Sequence, residues 1–160
     1  MTQAAIGYSS KFSHGDGGSP EVFTDLAEVV TITPPALQRT GVDATHMASP
    51  DRWREYIPGL KDPGEVSVVL NFIPGNSSQD VLFLAFEAEI PSNWRITFPN
   101  AEIWAFAAYC TGITTTVPLD DKMTMTATFR VSGPPVFLTA VTGAAAGSAN
   151  ANQFASGSVA

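Results

Sequence analysis

The sequence predicts a mainly β protein, an antiparallel β-sandwich or barrel with one packed α-helix, and three observations carry that expectation. Apolar and polar residues alternate over residues 66–72, 94–98 and 123–131, and prolines, glycines and asparagines punctuate the runs. Only one segment, after Pro74 and Gly75, sets a capping residue before a compact apolar body. Successive side chains of a strand point to opposite faces, so a period of two is what a strand with one buried face requires. Several strands around one helix argue for a single packed core, and 160 residues with 44% hydrophobic content supply one.

Residues 1–20 carry Gly7, Gly15, Gly17, Gly18 and Pro20 with no hydrophobic period, which predicts an N-terminal arm. His14 and Asp16 in it read as solvent-exposed loop polars, because a stable metal site needs three or four ligands. Residues 22–32 are the first strand candidate, stopped by Pro34 and Pro35. Residues 37–47 are extended and too polar for a fully buried strand. Residues 48–64, framed by Pro50, Pro58 and Pro63, are too proline-broken for a long helix and too long for an ordinary turn. Loops of this length are functional or disordered, and Arg52, Trp53, Arg54 and Tyr56 favour function, since aromatic and arginine side chains anchor protein interfaces. Asp51, Glu55 and Asp62 are expected to neutralise the cluster, which places an interface ahead of stacking on nucleic-acid bases.

Val66, Val68, Leu70 and Phe72 share one face of the next strand, which Pro74 and Gly75 end. Asn76 or Ser77 is predicted to cap a helix with its body at residues 81–86, Gln79 completing a capping-box-like arrangement and Asp80 suiting the helix dipole. An apolar run of this length also fits a buried strand, and the good helix formers around it favour the helix. Trp94, Ile96 and Phe98 share a face, and residues 99–101 supply a turn. Residues 103–117 are apolar on both faces as far as Cys110 and threonine-rich from Thr111, predicting burial on both sides at one end and solvent at the other. Pro118, Asp120 and Asp121 close this run, and Met125, Ala127, Phe129 and Val131 then alternate with Thr124, Thr126, Thr128 and Arg130. The final segment, residues 143–160, is rich in Ala, Gly and Ser without charge, and predicts a flexible tail or one ordered by a neighbour. The expected organisation is an arm at 1–20, a β domain at 21–142 with a long loop at 48–64, and a tail at 143–160.

Eight Lys and Arg against fifteen Asp and Glu give a net charge of −7 with no basic run. The cationic footprint of a duplex-binding protein is missing. Cys110 stands alone, so no intrachain disulfide or cysteine-based zinc site is available within one chain, and a small buried hydrophobe is the expected role. No basic start leads into a long apolar run, and nowhere do 18 apolar residues run uninterrupted, which predicts an unanchored protein of the cytosol. Asp43 and His46 would point to opposite faces of an extended segment, and Glu87 and Glu89 diverge at a helix end. No enzyme, cofactor or metal is expected from these residues.

A strand ending in Phe98-Pro99-Asn100, an aromatic strand, a Gly112-Ile113 step and a Thr-rich strand closing on Gly133-Pro134 together resemble the phage lambda tail tube protein and its relatives in long, flexible-tailed bacteriophages. Residues 72–75 and the apolar run after them resemble the family's strand, turn and helix, and residues 21–50 match in pattern. The resemblance implies a late structural protein of a siphovirus virion, assembled in the host cytoplasm into stacked hexameric rings. Each copy would give strands to an inner β-barrel with its helix outside, and the tube would conduct the genome during ejection. Implied partners are further copies of the chain and tape-measure, tail terminator and tail tip proteins, with DNA passing through without specific binding and no membrane anchor. Loops and arms join rings in that family, a role the resemblance carries to residues 48–64. An acidic lumen wall is expected, since phosphates meeting like charge find nothing to pair with. The tube of a type VI secretion-like system shares the fold class, and a small β-barrel binding module is the alternative from another class, to be recognised by an apolar cavity.

Overall fold

The computed structural model describes residues 6–138, so the tail expected at 143–160 lies outside the described residues. Along the chain come β1 (Lys11–Gly15), β2 (Phe23–Asp25), β3 (Val29–Thr33), β4 (Gln38–Asp43), β5 (Tyr56–Asp62), β6 (Glu65–Asn71), α1 (Ser77–Glu87), β7 (Ser92–Thr97), β8 (Ile103–Thr116), β9 (Thr124–Val131) and β10 (Val136–Leu138). Eight strands form one antiparallel sheet in the order β2-β1-β7-β8-β9-β6-β3, with β10 paired to β8. β4 and β5 pair only with each other.

The long strand β8 organises the sheet. Its first half, through Ala108, pairs with β7, and its second half, from Ala108 onward, pairs with β9 across an irregularity between Cys110 and Gly112. Such a bulge bends a strand and increases its twist. The sheet therefore folds over itself, and the two halves face each other across the core. Phe12 of β1 and Trp94 of β7 stack with ring centroids 5.2 Å apart, and Phe129 of β9 reaches them at 5.8 and 4.5 Å. Val66, Val68 and Leu70 of β6 and Met125, Ala127, Phe129 and Val131 of β9 are buried on strict alternation, as their sequence period predicts.

Helix α1 closes one side of this core with Leu82 and Ala85 buried. Asn76 is the N-cap, its side-chain oxygen accepting from the Ser78 N–H. The capping-box expectation for Gln79 is corrected: the Asn76 N–H bonds the Ile73 carbonyl instead. Gln79 is wholly buried, its amide donating to the Asn71 and Ala27 carbonyls while its oxygen accepts from the Ile73 N–H. A buried amide with all these partners fastens the helix start to β6 and to the β2–β3 connection.

Five further expectations change. Residues 1–20 are not an arm throughout, because β1 is an inner strand between β2 and β7 with Phe12 fully buried. His14 is consequently half-buried, its ring centroid 4.6 Å from that of Trp94, and is not a loop polar. The strand expected at 22–32 is two strands, broken where Leu26 turns into the core and Glu28 takes φ 60°. Residues 48–64 are not a loop throughout, since residues 56–62 form β5; Pro58 fits because an outlying two-stranded sheet leaves ladder positions that need no donor. Burial of β8 is uneven: Phe106, Ala108 and Cys110 are buried on one face, while on the other Ile103, Ala105 and Ala107 are half-buried and Tyr109 is 42% exposed.

Candidate assembly surface

The β4–β5 hairpin leaves the body of the protein as an arm. Isolated two-stranded sheets are at best marginally stable in water, so local bonds hold this one at both ends. At the root, Arg130 of β9 donates twice to the Asp62 carboxylate, at 2.9 and 2.7 Å, and Asp62 also accepts from the Gly64 N–H at 2.9 Å. Gly64 adopts φ +78°, and a Cβ there would lie 2.5 Å from the Ala36 carbonyl oxygen, so only glycine makes this corner. At the tip, Ser49 Oγ donates to Glu55 Oε2 at 2.6 Å and accepts from the His46 N–H, while His46 Nε2 lies 3.4 Å from the same carboxylate. A short 3-10 turn at Pro50–Arg52 follows, in which Asp51 and Arg52 take φ 51° and 61°. Left-handed backbone at two consecutive non-glycine residues costs roughly 1–2 kcal/mol each, and such outliers concentrate at functional positions.

The sequence-selected residues divide here. Arg52, Trp53 and Arg54 sit at the tip and are exposed, Trp53 by 75%; Tyr56 opens β5 opposite Asp43, 58% exposed. Sequence reading missed Val42, Ile57 and Leu60, exposed apolar side chains of the same arm, of which Leu60 is 89% exposed. The expected neutralisation of Arg52 and Arg54 is corrected for two of the three acids, because Glu55 engages Ser49 and His46 and Asp62 engages Arg130, which leaves Asp51 beside Arg52 in the turn. His46 likewise faces Glu55, not Asp43. The arm thus presents aromatic and aliphatic surface with two guanidinium groups at its end.

Electrostatics tie the arm root to pH. The Gly64 N–H and the Arg130 guanidinium hold the Asp62 carboxyl below the usual aspartate range, and Lys11 with Ser13 does the same to Asp25. Burial against Trp94 lowers His14, with Glu21 and Asp16 opposing. A depressed folded-state pKa gives stability that is present above the unfolded value and is lost as pH falls through the folded one. Thermal stability is therefore expected to fall slightly below about pH 6.5, where His14 protonates in the unfolded chain, and further below about pH 4, where the aspartates do. Asp62→Asn should flatten the acid limb; an unchanged limb would remove Asp62 from the account.

One groove of about 700 Å³ lies at the arm root between Leu37, Lys61, Pro63, Pro134 and Phe137, and a second of about 630 Å³ lies where Tyr8 and Ser10 meet Val29 and Ile32 of β3 and Ile96 of β7. Among the described residues, neither groove of the body gathers paired titratable groups. Among the described residues no helix is long and apolar enough to cross a membrane.

Comparison with known proteins supplies the family. The model of the lambda phage tail tube protein, TTP, matches residues 8–138. No curated protein sequence matches significantly. Among solved structures, the chain is similar to one from the tail of an empty gene transfer agent particle, refined with C6 symmetry, at TM-score 0.70 and 17% identity, covering 85% of this chain and 100% of that one. It is similar to a chain of the sheath/tube terminator of the extracellular contractile injection system PVC in the extended state, at TM-score 0.68 and 10% identity over 87% and 99% of the two chains. The tail tube of SPP1 matches at TM-score 0.63 and 10% identity, over 85% and 80%. These identities speak for the fold alone, whereas the family model runs from just before β1 to the last residue of β10, arm included, and by that match the chain belongs to the lambda phage tail tube protein family.

Proposed function

We propose that this chain is the structural subunit of a phage tail tube, closing into hexameric rings that stack into the conduit for genome ejection. The observation that carries the reading is the β4–β5 arm, a marginal two-stranded sheet with apolar side chains that water alone would have to cover. A neighbouring copy offers what the arm lacks. Trp53, Tyr56 and Leu60 gain a packed surface, and Arg52 and Arg54 meet a partner whose net charge is −7. Ring closure also removes the open strand edges of β2 and β3, which would otherwise invite irregular pairing.

The role is structural and not enzymatic, located in the tail of the virion after assembly in the host cytoplasm. Tape-measure, tail terminator and tail tip proteins are the further partners this reading names. β1 joins the tube domain that this reading assigns from residue 21 onward. Similarity to contractile injection systems supports the shared tube fold, while the family match favours the flexible-tailed phage over a type VI-like apparatus. Electron microscopy of the purified protein is expected to show sixfold rings and hollow stacks of them. A monodisperse monomer at every concentration and ionic strength would overturn the proposal.

A further inference from the structure

The outward face of β9, β6, β3 and the second half of β8 is uncharged and dominated by hydroxyl side chains, with Val69, Asn71 and the exposed Val30 among them. Thr124, Thr126 and Thr128 alternate with the buried residues of β9. In register, Thr126 and Thr128 lie opposite Val69 and Ser67 of β6, and Thr116 and Thr114 of β8 lie opposite Thr124 and Thr126. β3 extends the rows with Thr31 and Thr33. Ionisable groups begin only at the ends: Glu65 and Arg130 at one, Glu28, Asp120, Asp121 and Lys122 at the other. The half-sheet of β1 and β7 differs, since its outward face carries Lys11 paired to Asp25 and Arg95 with its guanidinium 4.3 Å from the Phe23 ring centroid.

Three uses of a sheet face can be told apart by composition. A face left to bulk water in a charged chain carries mixed charges, and an interface core carries aromatic and arginine anchors. The hydroxyl face has neither in its interior. Hydroxyls exchange hydrogen bonds with water and with phosphate oxygens alike, and without Lys or Arg a passing duplex releases no counterions, so contact confers no net affinity.

We propose that this uncharged hydroxyl face is the lumen wall, past which duplex DNA slides without being gripped. The inference rests on the tube reading and replaces the acidic wall expected from net charge with a neutral one. The acidic surplus then lies away from the passing DNA.

Two near-isosteric positions test it: Ser67→Cys and Thr114→Cys, assembled into tubes and labelled with gold-maleimide for cryo-electron microscopy. Native Cys110 is a silent background, being buried. Label density inside the wall at both positions is expected. Density on the outer surface, or cysteines reactive in the free chain and blocked in the tube, would overturn the assignment while leaving the tube intact. If the unmodified chain forms no hollow assembly, the tube reading falls first and this inference with it. A second variant, Thr126→Lys, should leave tube formation unchanged and increase retention of a short DNA duplex by about tenfold at low salt, lost as salt is raised. Retention equal to that of unmodified tubes would also overturn it.

Discussion

Replacing Phe12 with alanine is expected to destabilise the chain by about 3–5 kcal/mol, the range for truncating a buried aromatic residue. Phe12 is fully buried and stacks on Trp94, and both rings meet Phe129 from the opposite half-sheet, so the loss opens a cavity where the two halves join. Neighbouring rings cannot collapse into it without leaving their own strands. The melting temperature of a chain this size should fall by roughly 10 °C. Urea and thermal unfolding check the result, and a change under about 1 kcal/mol would return residues 11–15 to the status of an arm.

Trp53→Ala is expected to do the reverse, leaving the fold intact and crippling growth. Its side chain is mostly exposed and touches no part of the core, so stability should change by less than about 0.5 kcal/mol. An interface anchor lost at each subunit addition costs about 2 kcal/mol, which raises the critical concentration for assembly about 30-fold. Sedimentation of polymer against monomer, with circular dichroism on the same sample, separates the two quantities. A collapsed melting curve together with normal polymerisation of the residual folded protein would place Trp53 in the core and end the interface account.

Period-two strands were legible because their pattern is set by burial on one face. β6, β7 and β9 show it cleanly, and β8 shows it once the two ends are separated. β1 was not legible, since Phe12 is the lone large apolar residue of Lys11–Gly15 and the glycines around it give the signal of a loop. Its place in the sheet is decided by a stack with Trp94, 82 positions away, which no local window contains. The break between β2 and β3 lacks the usual glycine or asparagine, as Glu28 itself takes the left-handed conformation. In the arm, Pro58 and Gly59 hid a strand that exists only through pairing with β4. Arg52, Trp53, Arg54 and Tyr56 were recognisable by residue type, but the company of Val42, Ile57 and Leu60 depended on knowing that β5 was a strand.

The continuity of β8 also bears on how a long tail bends. Fourteen residues at about 3.3 Å each make one covalent beam of about 46 Å that belongs to both half-sheets. Any rotation of one half is carried into the other through that backbone, and the stacked rings of Phe12, Trp94 and Phe129 resist shear between them. The arm has no such bracing beyond its root at Arg130, Asp62 and Gly64. In the proposed tube, curvature imposed on a tail would therefore fall on the joints between copies, where a hinged hairpin can tilt, while each subunit keeps its shape and the bore stays round.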